Sequence, residues 1–600
     1  MMRKFTLISC WVFRILINHG IAQNEARIWY FGNGLGLDFS SATPSLLTNG
    51  STATSLGCAG VCSSSGSLLF YTDGVTVWNQ THSVMANGTG LFGDPGAQTC
   101  VIVKKPLSPN LYYVFTVQGG GGSAGLCYSI VDVALAGGNG SVTAKNVPMH
   151  STPCEEKISA TKHCNQTDAW VMVHEMNTQN FQAFALTASG IGTMITSSFS
   201  PQPFPITTIS THTGYSPRGT MKFSPNGRKL AEVFTVSSAT TPIGNGGVGS
   251  AVFEIYDFNN SSGLLSNIQI ASGFGGGSIS NWAYGTEFSP DGTKLYFTTT
   301  AGMLAQINHC VFPSTSTWGI PFTGDSPPVN SRAASLQLGP DGKIYVAVAG
   351  SNSIGVINNP NLPTPSCNYL PGAISLGTAV CGLGLPNFYT PYFENTSQTF
   401  TAAQIPGSDC RNYNFFVPIK CAVAPNNPNS QIPFSGYIIN NYSWNFGDPL
   451  SGSANTSTIS SPSHYFSAAG SYTVQLVLSY LCGRNDTLRQ TLVVPNTATI
   501  SVVTPSLSCG FASATVIPSG ALGPCSYTWQ PTNINNAVAN NLSPGVYTVF
   551  TKDAGTGCSY ITTLSIGPTV ISSSVNAAAA CAGVNTGTAL VLTSGGSGSY

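Results

Sequence analysis

The feature that most restricts what this chain can fold into is a hairpin that recurs. Met221-Lys222-Phe223-Ser224-Pro225-Asn226-Gly227-Arg228-Lys229-Leu230 is echoed by Thr286-Glu287-Phe288-Ser289-Pro290-Asp291-Gly292-Thr293-Lys294-Leu295 and again by Leu336-Gln337-Leu338-Gly339-Pro340-Asp341-Gly342-Lys343-Ile344-Tyr345. An apolar strand end leads into proline, whose φ is already near −65°. Asn or Asp and then Gly supply the tight or positive-φ positions. A second strand then begins with lysine and alternates apolar residues. Looser copies lie near Ser65-Gly66, Ser108-Pro109-Asn110 and Gln166-Thr167-Asp168. Between the turns run short β-branched and aromatic segments, such as Leu68-Leu69-Phe70-Tyr71 and Ala169-Trp170-Val171-Met172-Val173-His174. No long apolar series has helical spacing.

Units of roughly 40–65 residues, each centred on such a hairpin, suit a β-propeller: one four-stranded blade cannot cover its own faces, but a closed ring of blades can. The expected fold is all-β, an N-terminal β-propeller of six or seven blades followed by immunoglobulin-like β-sandwich modules. The hairpin resembles the turn of WD-like, YVTN-type and Tol-B-type bacterial propellers. With Ile28-Trp29-Tyr30-Phe31 at the start and Gly384-Leu385-Pro386-Asn387-Phe388 at the end, residues 24–395 look like the propeller region of large surface proteins of Bacteroidetes-type bacteria.

Further on, Trp444-Asn445-Phe446-Gly447-Asp448, His464-Tyr465-Phe466 and Gly470-Ser471-Tyr472-Thr473-Val474 together resemble the PKD domain, an immunoglobulin-like sandwich. Pro449 stands where that pattern has glycine, and Phe466 where it has tyrosine. The expected domain spans 396–498. The resemblance gives Trp444, Phe446, Gly447, Asp448, His464, Tyr465, Gly470, Tyr472 and Val474 structural roles. Residues 499–570, with Tyr527-Thr528-Trp529, Pro544-Gly545-Val546-Tyr547 and Gly557-Cys558, resemble the repeat of the gliding-motility adhesin SprB. A second copy starts at 571, and the chain stops within it at Tyr600, as a piece of a longer protein would.

Composition narrows the function classes. The 21 basic and 21 acidic residues make up only 7% of the 600-residue chain, and no basic run occurs. That argues against nucleic acid as a partner, which requires a clustered positive footprint. Arg3-Lys4, the apolar stretch from Phe5 to Ile17 and Ile21-Ala22-Gln23 read as an export signal over residues 1–23. Its removal takes three basic residues, giving a net charge of 18 − 21 = −3, and lowers the 17 cysteines to 16. An even cysteine count in an exported chain favours disulfides. Connectivity is open, with bridges inside each module the default: Cys410, Cys421 and Cys482 in one region, Cys509, Cys525 and Cys558 in the next. No apolar run is long enough for a membrane helix.

The chemical motifs are weak. Gly121-Gly122-Ser123-Ala124-Gly125 matches a nucleophile elbow only in letters, since a strand follows it rather than a helix. His174-Glu175 begins like a zinc-protease helix, but Thr178 stands where the second histidine belongs. Cys58-x-x-x-Cys62 and Cys154 with His163-Cys164 suit disulfides or buried thiols better than zinc. Asp73, Asp291 and Asp341 are single turn residues, so calcium is possible but unsupported. No catalytic, cofactor-binding or metal residue is assigned. Trp78, Trp170, Trp282 and Trp318 are expected in blade cores, with a carbohydrate site as the alternative. The expected function is extracellular adhesion or interaction at a bacterial cell surface. The propeller would be the platform for a glycan or protein ligand, and the resemblance implies gliding motility or type IX export through a signal beyond this chain. The alternative is a secreted propeller enzyme of the lactonase, polysaccharide-lyase or hydrolase kind. Histidines and carboxylates converging on one funnel would favour that alternative.

Overall fold

In the computed structural model the described residues are 24–54, 56–94, 98–199, 215–216, 218–237, 249–274, 283–299, 303–308, 332–394, 399–405, 410–417, 419–421, 432–433, 439–480, 485–495, 498–504, 511–567, 572–578 and 588–594. The expected export signal, Trp282 and Trp318 lie outside them. The chain divides into two compact units, one built mainly from residues 1–398 and the other mainly from 399–418, 439–480 and 485–600.

In the first unit the hairpin turns close as their residues dictate. Gly227, Gly292 and Gly342 have φ of +64°, +67° and +76°. The Ser224 and Ser289 hydroxyls each donate to the following Asn226 or Asp291 side chain at 2.7 Å. The same hydroxyls accept the amides of Lys229 and Lys294 at 3.0 and 2.9 Å. Asp291 and Asp341 accept backbone amides within their own turns, and so does Asp73. These are the turn roles expected of them.

Each of these turns joins the first strand of a sheet to its second. Among the described residues there are seven such antiparallel groups in succession, over 28–47, 59–89, 100–150, 154–198, 215–274, 283–307 and 332–375. We number them blades 1 to 7. Blades 2 and 3 are joined by one parallel pairing, Ala86 with Ser141. The looser turns near residues 65, 109 and 167 serve blades 2, 3 and 4 in the same way.

Every seam between neighbouring blades holds an apolar cluster. Tyr30 and Trp78 lie between blades 1 and 2. Val61 and Val114 lie between blades 2 and 3, and Phe115 and Val171 between 3 and 4. Trp170 and Phe223 lie between 4 and 5, Phe253 and Phe297 between 5 and 6, and Tyr296 and Leu336 between 6 and 7. The ring closes where Trp29 of blade 1 packs against Tyr345 of blade 7, with ring centroids 5.3 Å apart. This burial, at about 25 cal/mol per Å² of apolar surface, is what holds one blade to the next. Trp78 and Trp170 are blade-core residues, 8% and 4% exposed.

The second unit contains two sandwiches. In the first, Thr401–Gln404, Asn412–Phe416 and Ser463–Tyr465 form one sheet, and Thr456–Ser457, Ile439–Asn445, Gly470–Tyr480 and Asn485–Val494 the other. In the second, Thr499–Val503, Ala512–Ser519 and Val538–Leu542 face Cys525–Gln530, Gly545–Asp553 and Ser559–Ile566 across a core around Trp529. The hairpin Ser572–Ala578 with Thr588–Ser594 follows.

Disulfide pairing differs from the local default. Cys410 bonds Cys558, 148 residues away, with Cα atoms 5.2 Å apart. The bridge ties the first sandwich to the second because the fold brings their ends together. Cys164 is also disulfide-bonded, whereas Cys58, Cys62 and Cys154 are buried free thiols.

Candidate functional site

The first strand of each blade lies on the inside of the ring, and in blades 4 to 6 these strands carry polar side chains. Glu155, Glu156, Lys157, Lys222 and Glu287 are all buried, in a chain with few charges to spend. Ions taken from water carry a large desolvation cost, so each must find partners. Glu156 accepts the Gly120 N–H at 3.0 Å and lies 3.6 Å from Arg218, and two groups of partners meet the need of the others.

One group centres on Asn387, in the segment after blade 7. Its amide nitrogen donates to the carbonyl oxygens of Cys100 at 3.0 Å and Ile158 at 2.9 Å. Its side-chain oxygen accepts from Gln98 at 2.7 Å and from Lys222 at 3.3 Å. Its backbone N–H donates to Cys58 at 2.8 Å. One asparagine thus reaches blades 2, 3, 4 and 5. Lys222 also donates to Gln337 of blade 7 at 2.6 Å and lies 3.7 Å from Glu287 of blade 6. Burial lowers the Lys222 ammonium below its usual range despite Glu287.

The other group spans blades 4 and 5. Lys157 donates to Glu155 Oε2 at 2.6 Å and lies 3.7 Å from Glu232 Oε2. His174 Nδ1 lies 3.3 Å from Glu155 Oε1 and 3.1 Å from Glu232 Oε1. His174 Nε2 lies 3.1 Å from the Thr178 carbonyl oxygen, and the ring stacks on Phe181 at 4.1 Å. Burial alone would lower the imidazole pKa, but Glu155 and Glu232 together raise it to about 9. Glu254 joins from the next strand, accepting from the Tyr256 hydroxyl. Burial and the Glu232 charge push its carboxyl up to about 8.

His174 and Glu175 sit at a strand end, the strand being Ala169–Glu175, but His174 is not isolated there. Its acidic partners come from other strands and, for Glu232, from another blade. The signal that could have pointed to them is Glu155-Glu156-Lys157, three consecutive charges within one strand. Ser123 lies in a glycine-rich loop before the strand Leu126–Asp132.

In the first sandwich Trp444 and Phe446 are 1% exposed, and Val474 is fully buried. Gly447 has φ of +72°, and a Cβ there would meet the Thr473 carbonyl oxygen at 2.5 Å. Asp448 accepts the Ser467 N–H at 2.8 Å and lies 3.2 Å from His464 Nε2. Burial raises its pKa, but these hydrogen bonds outweigh that, and the carboxyl ends below its usual range. His464 stacks on Phe446 at 4.2 Å. Burial outweighs Asp448 there and holds the imidazole below its usual range. Tyr465 points outward beneath the Arg411 guanidinium, 4.6 Å away. Phe466 takes the inward place beside it, against Tyr472 at 4.4 Å. Gly470 opens the strand Gly470–Tyr480, and the Tyr472 hydroxyl donates to the Ala468 carbonyl at 2.8 Å.

Residues 432–495 match the PKD domain family. The core of the matched segment is the aromatic set around Trp444 and Phe446. No curated protein matches the chain. Among solved structures the chain is similar to one from Bacteroides uniformis ATCC 8492, described as a provisional 6-phosphogluconolactonase. The identity is 11%, over 73% of this chain and 96% of that one, with a TM-score of 0.26. A likeness at that score carries no argument for fold or function.

Proposed function

We propose that the chain is an extracellular interaction protein of a bacterial surface. Residues 24–395 form its ligand platform, and the PKD domain (396–498) and the SprB-like repeats (499–570 and from 571) act as spacers. Export through a signal over residues 1–23 belongs to the same reading, as does a link to gliding motility or type IX secretion. PKD domains are typical of extracellular proteins, and among the described residues no helix is long and apolar enough to cross a membrane.

The observation that carries the reading is the state of the ring's charges. At the cluster described on blades 4 and 5 the convergence that an enzyme reading asks for is present; the access is not. The Glu155, Lys157, His174 and Glu232 side chains are 1%, 0%, 7% and 0% exposed and already engage one another. A general acid or base has to come within hydrogen-bond reach of its substrate. This leaves the outer loops and faces of the ring as the surface for a glycan or protein ligand. A chain running from residue 24 to 600, screened against glycans and surface polymers beside lactone and polysaccharide substrates, should show saturable binding and no turnover. Reproducible turnover without such binding overturns the proposal.

A further inference from the structure

We propose that Glu155, His174 and Glu232 form a site for one divalent first-row transition cation, which staples blade 4 to blade 5. The three donor atoms lie within 4.8 Å of one another. His174 Nδ1 stands 3.3 Å from Glu155 Oε1 and 3.1 Å from Glu232 Oε1. Ligands about 2.0–2.2 Å from a zinc ion, at the corners of a tetrahedron, stand roughly 3.3–3.6 Å apart. Both nitrogen–oxygen spacings are therefore within a few tenths of an ångström of such an edge, and the two carboxylate oxygens stand within 4.8 Å of each other.

The surroundings are arranged as metal ligands require. Lys157 engages the Oε2 atoms of both carboxylates, while Nδ1 faces Glu155 Oε1 and both oxygens of Glu232, Oε2 at 3.3 Å as well as Oε1. The far nitrogen of the imidazole is within hydrogen-bond distance of the Thr178 carbonyl oxygen. The cation would displace the Nδ1 proton that faces Glu155 and Glu232, and a proton kept on Nε2 then leaves the Nδ1 lone pair to coordinate, the usual outer-shell device for a ligating histidine. A second observation points the same way: Glu232 Oε1 is buried and makes no hydrogen bond, since the imidazole 3.1 Å away bonds Oε2 of the same carboxylate at 3.3 Å. One imidazole and two carboxylates suit zinc or manganese. Calcium, which takes six to eight oxygens, is poorly served. Glu155 and His174 belong to blade 4 and Glu232 to blade 5, so the cation would bridge the seam.

The test uses the chain from residue 24 to 600, stripped with chelator and then given zinc sulfate alone. One zinc per chain should survive gel filtration. X-ray absorption should show a nitrogen and oxygen shell near about 2.0–2.1 Å and no sulfur near about 2.3 Å. Glu232→Gln and His174→Gln should each weaken binding at least about tenfold, while Asp448→Asn binds as the parent does. Substoichiometric zinc, a sulfur shell from the cysteines, or unchanged affinity in Glu232→Gln overturns the proposal. Should the variants fail to fold, the absorption spectrum of the unmodified chain decides alone.

Discussion

His174 and His464 are both buried and both stacked on phenylalanine, yet their surroundings drive them in opposite directions. His174 in the propeller faces two carboxylates, and its pKa rises to about 9. His464 in the PKD domain faces one, Asp448, and burial wins. The difference lies in how each fold satisfies a buried charge. The propeller pools charges from several strands, so that Glu155, Lys157, His174 and Glu232 neutralise one another across a seam. The sandwich supports its carboxylate with hydrogen bonds from Ser467 and His464 beside it.

The largest expected effect follows from that contrast. Lys157→Met removes the cation shared by Glu155 and Glu232. Breaking a buried ionic network by taking one partner costs about 3–5 kcal/mol. Asp448→Asn in the PKD domain leaves a neutral acceptor in place and should cost about 1–3 kcal/mol. Urea unfolding of the two variants checks the order. Equal costs would mean that the propeller cluster is no more interdependent than a single hydrogen-bonded carboxylate.

The next largest concerns how each unit is tied together. The ring closes by packing, with Trp29 against Tyr345 and Phe388, while the sandwiches are tied by Cys410–Cys558. Replacing both cysteines by serine should destabilise the second unit by about 2–4 kcal/mol. Proteolysis should then cut faster within 399–566 and leave blades 1 to 7 unchanged. Faster cleavage inside the blades would contradict this division.

The contrast was only partly legible in the amino-acid order. Turn chemistry is local, so Ser224-Pro225-Asn226-Gly227 announces its hairpin without reference to the rest of the chain. The PKD motif is legible because Trp444 and Phe446 alternate within one strand, as an inward face must. The ionic cluster is not local. Glu232 lies 58 residues from His174, on another blade, whereas the zinc-protease pattern looks four positions ahead on a helix. Asn387 meets Gln98 across 289 residues. Neither pairing leaves a spacing that can be read. Only the run Glu155-Glu156-Lys157 stands out, as a costly composition for a strand that turns out to be buried.

A pH series should then separate the two units by sign. His174 has a raised folded pKa, so its stabilisation is complete below about 6.5, the unfolded value, and is lost as pH rises through about 9. Glu254, raised to about 8 against an unfolded value near about 4.3, acts in the same sense within the cluster of Glu155, Lys157, Glu232 and Tyr256. His464 and Asp448 are depressed, so their contributions hold above their unfolded values, about 6.5 and 3.9, and are lost on acidification. Hydrogen exchange with chelator present, corrected for intrinsic rates, should show 154–175 and 229–237 loosening toward alkaline pH. Residues 439–480 should loosen toward acid. The same sign in both units would remove the basis of the comparison.

The smallest effect tests whether the two sandwiches are built alike despite their different sequences. Tyr472 and Tyr547 each follow a glycine by two positions. Their hydroxyls donate to the carbonyls of Ala468 and Ser543, at 2.8 and 2.9 Å, four residues back in both cases. This is the tyrosine corner of immunoglobulin-like folds, a tie that holds the entry into a core strand. A phenylalanine keeps the ring in place and removes only the hydroxyl, so Tyr472→Phe and Tyr547→Phe should each cost about 1 kcal/mol. The two sites lie in separate sandwiches and their hydroxyls donate to different carbonyls, so the double variant should cost about the sum. A cost at one site and none at the other would mean that only one module depends on its corner. A double variant costing much more than the sum would mean that the Cys410–Cys558 bridge makes the two sandwiches fold as one.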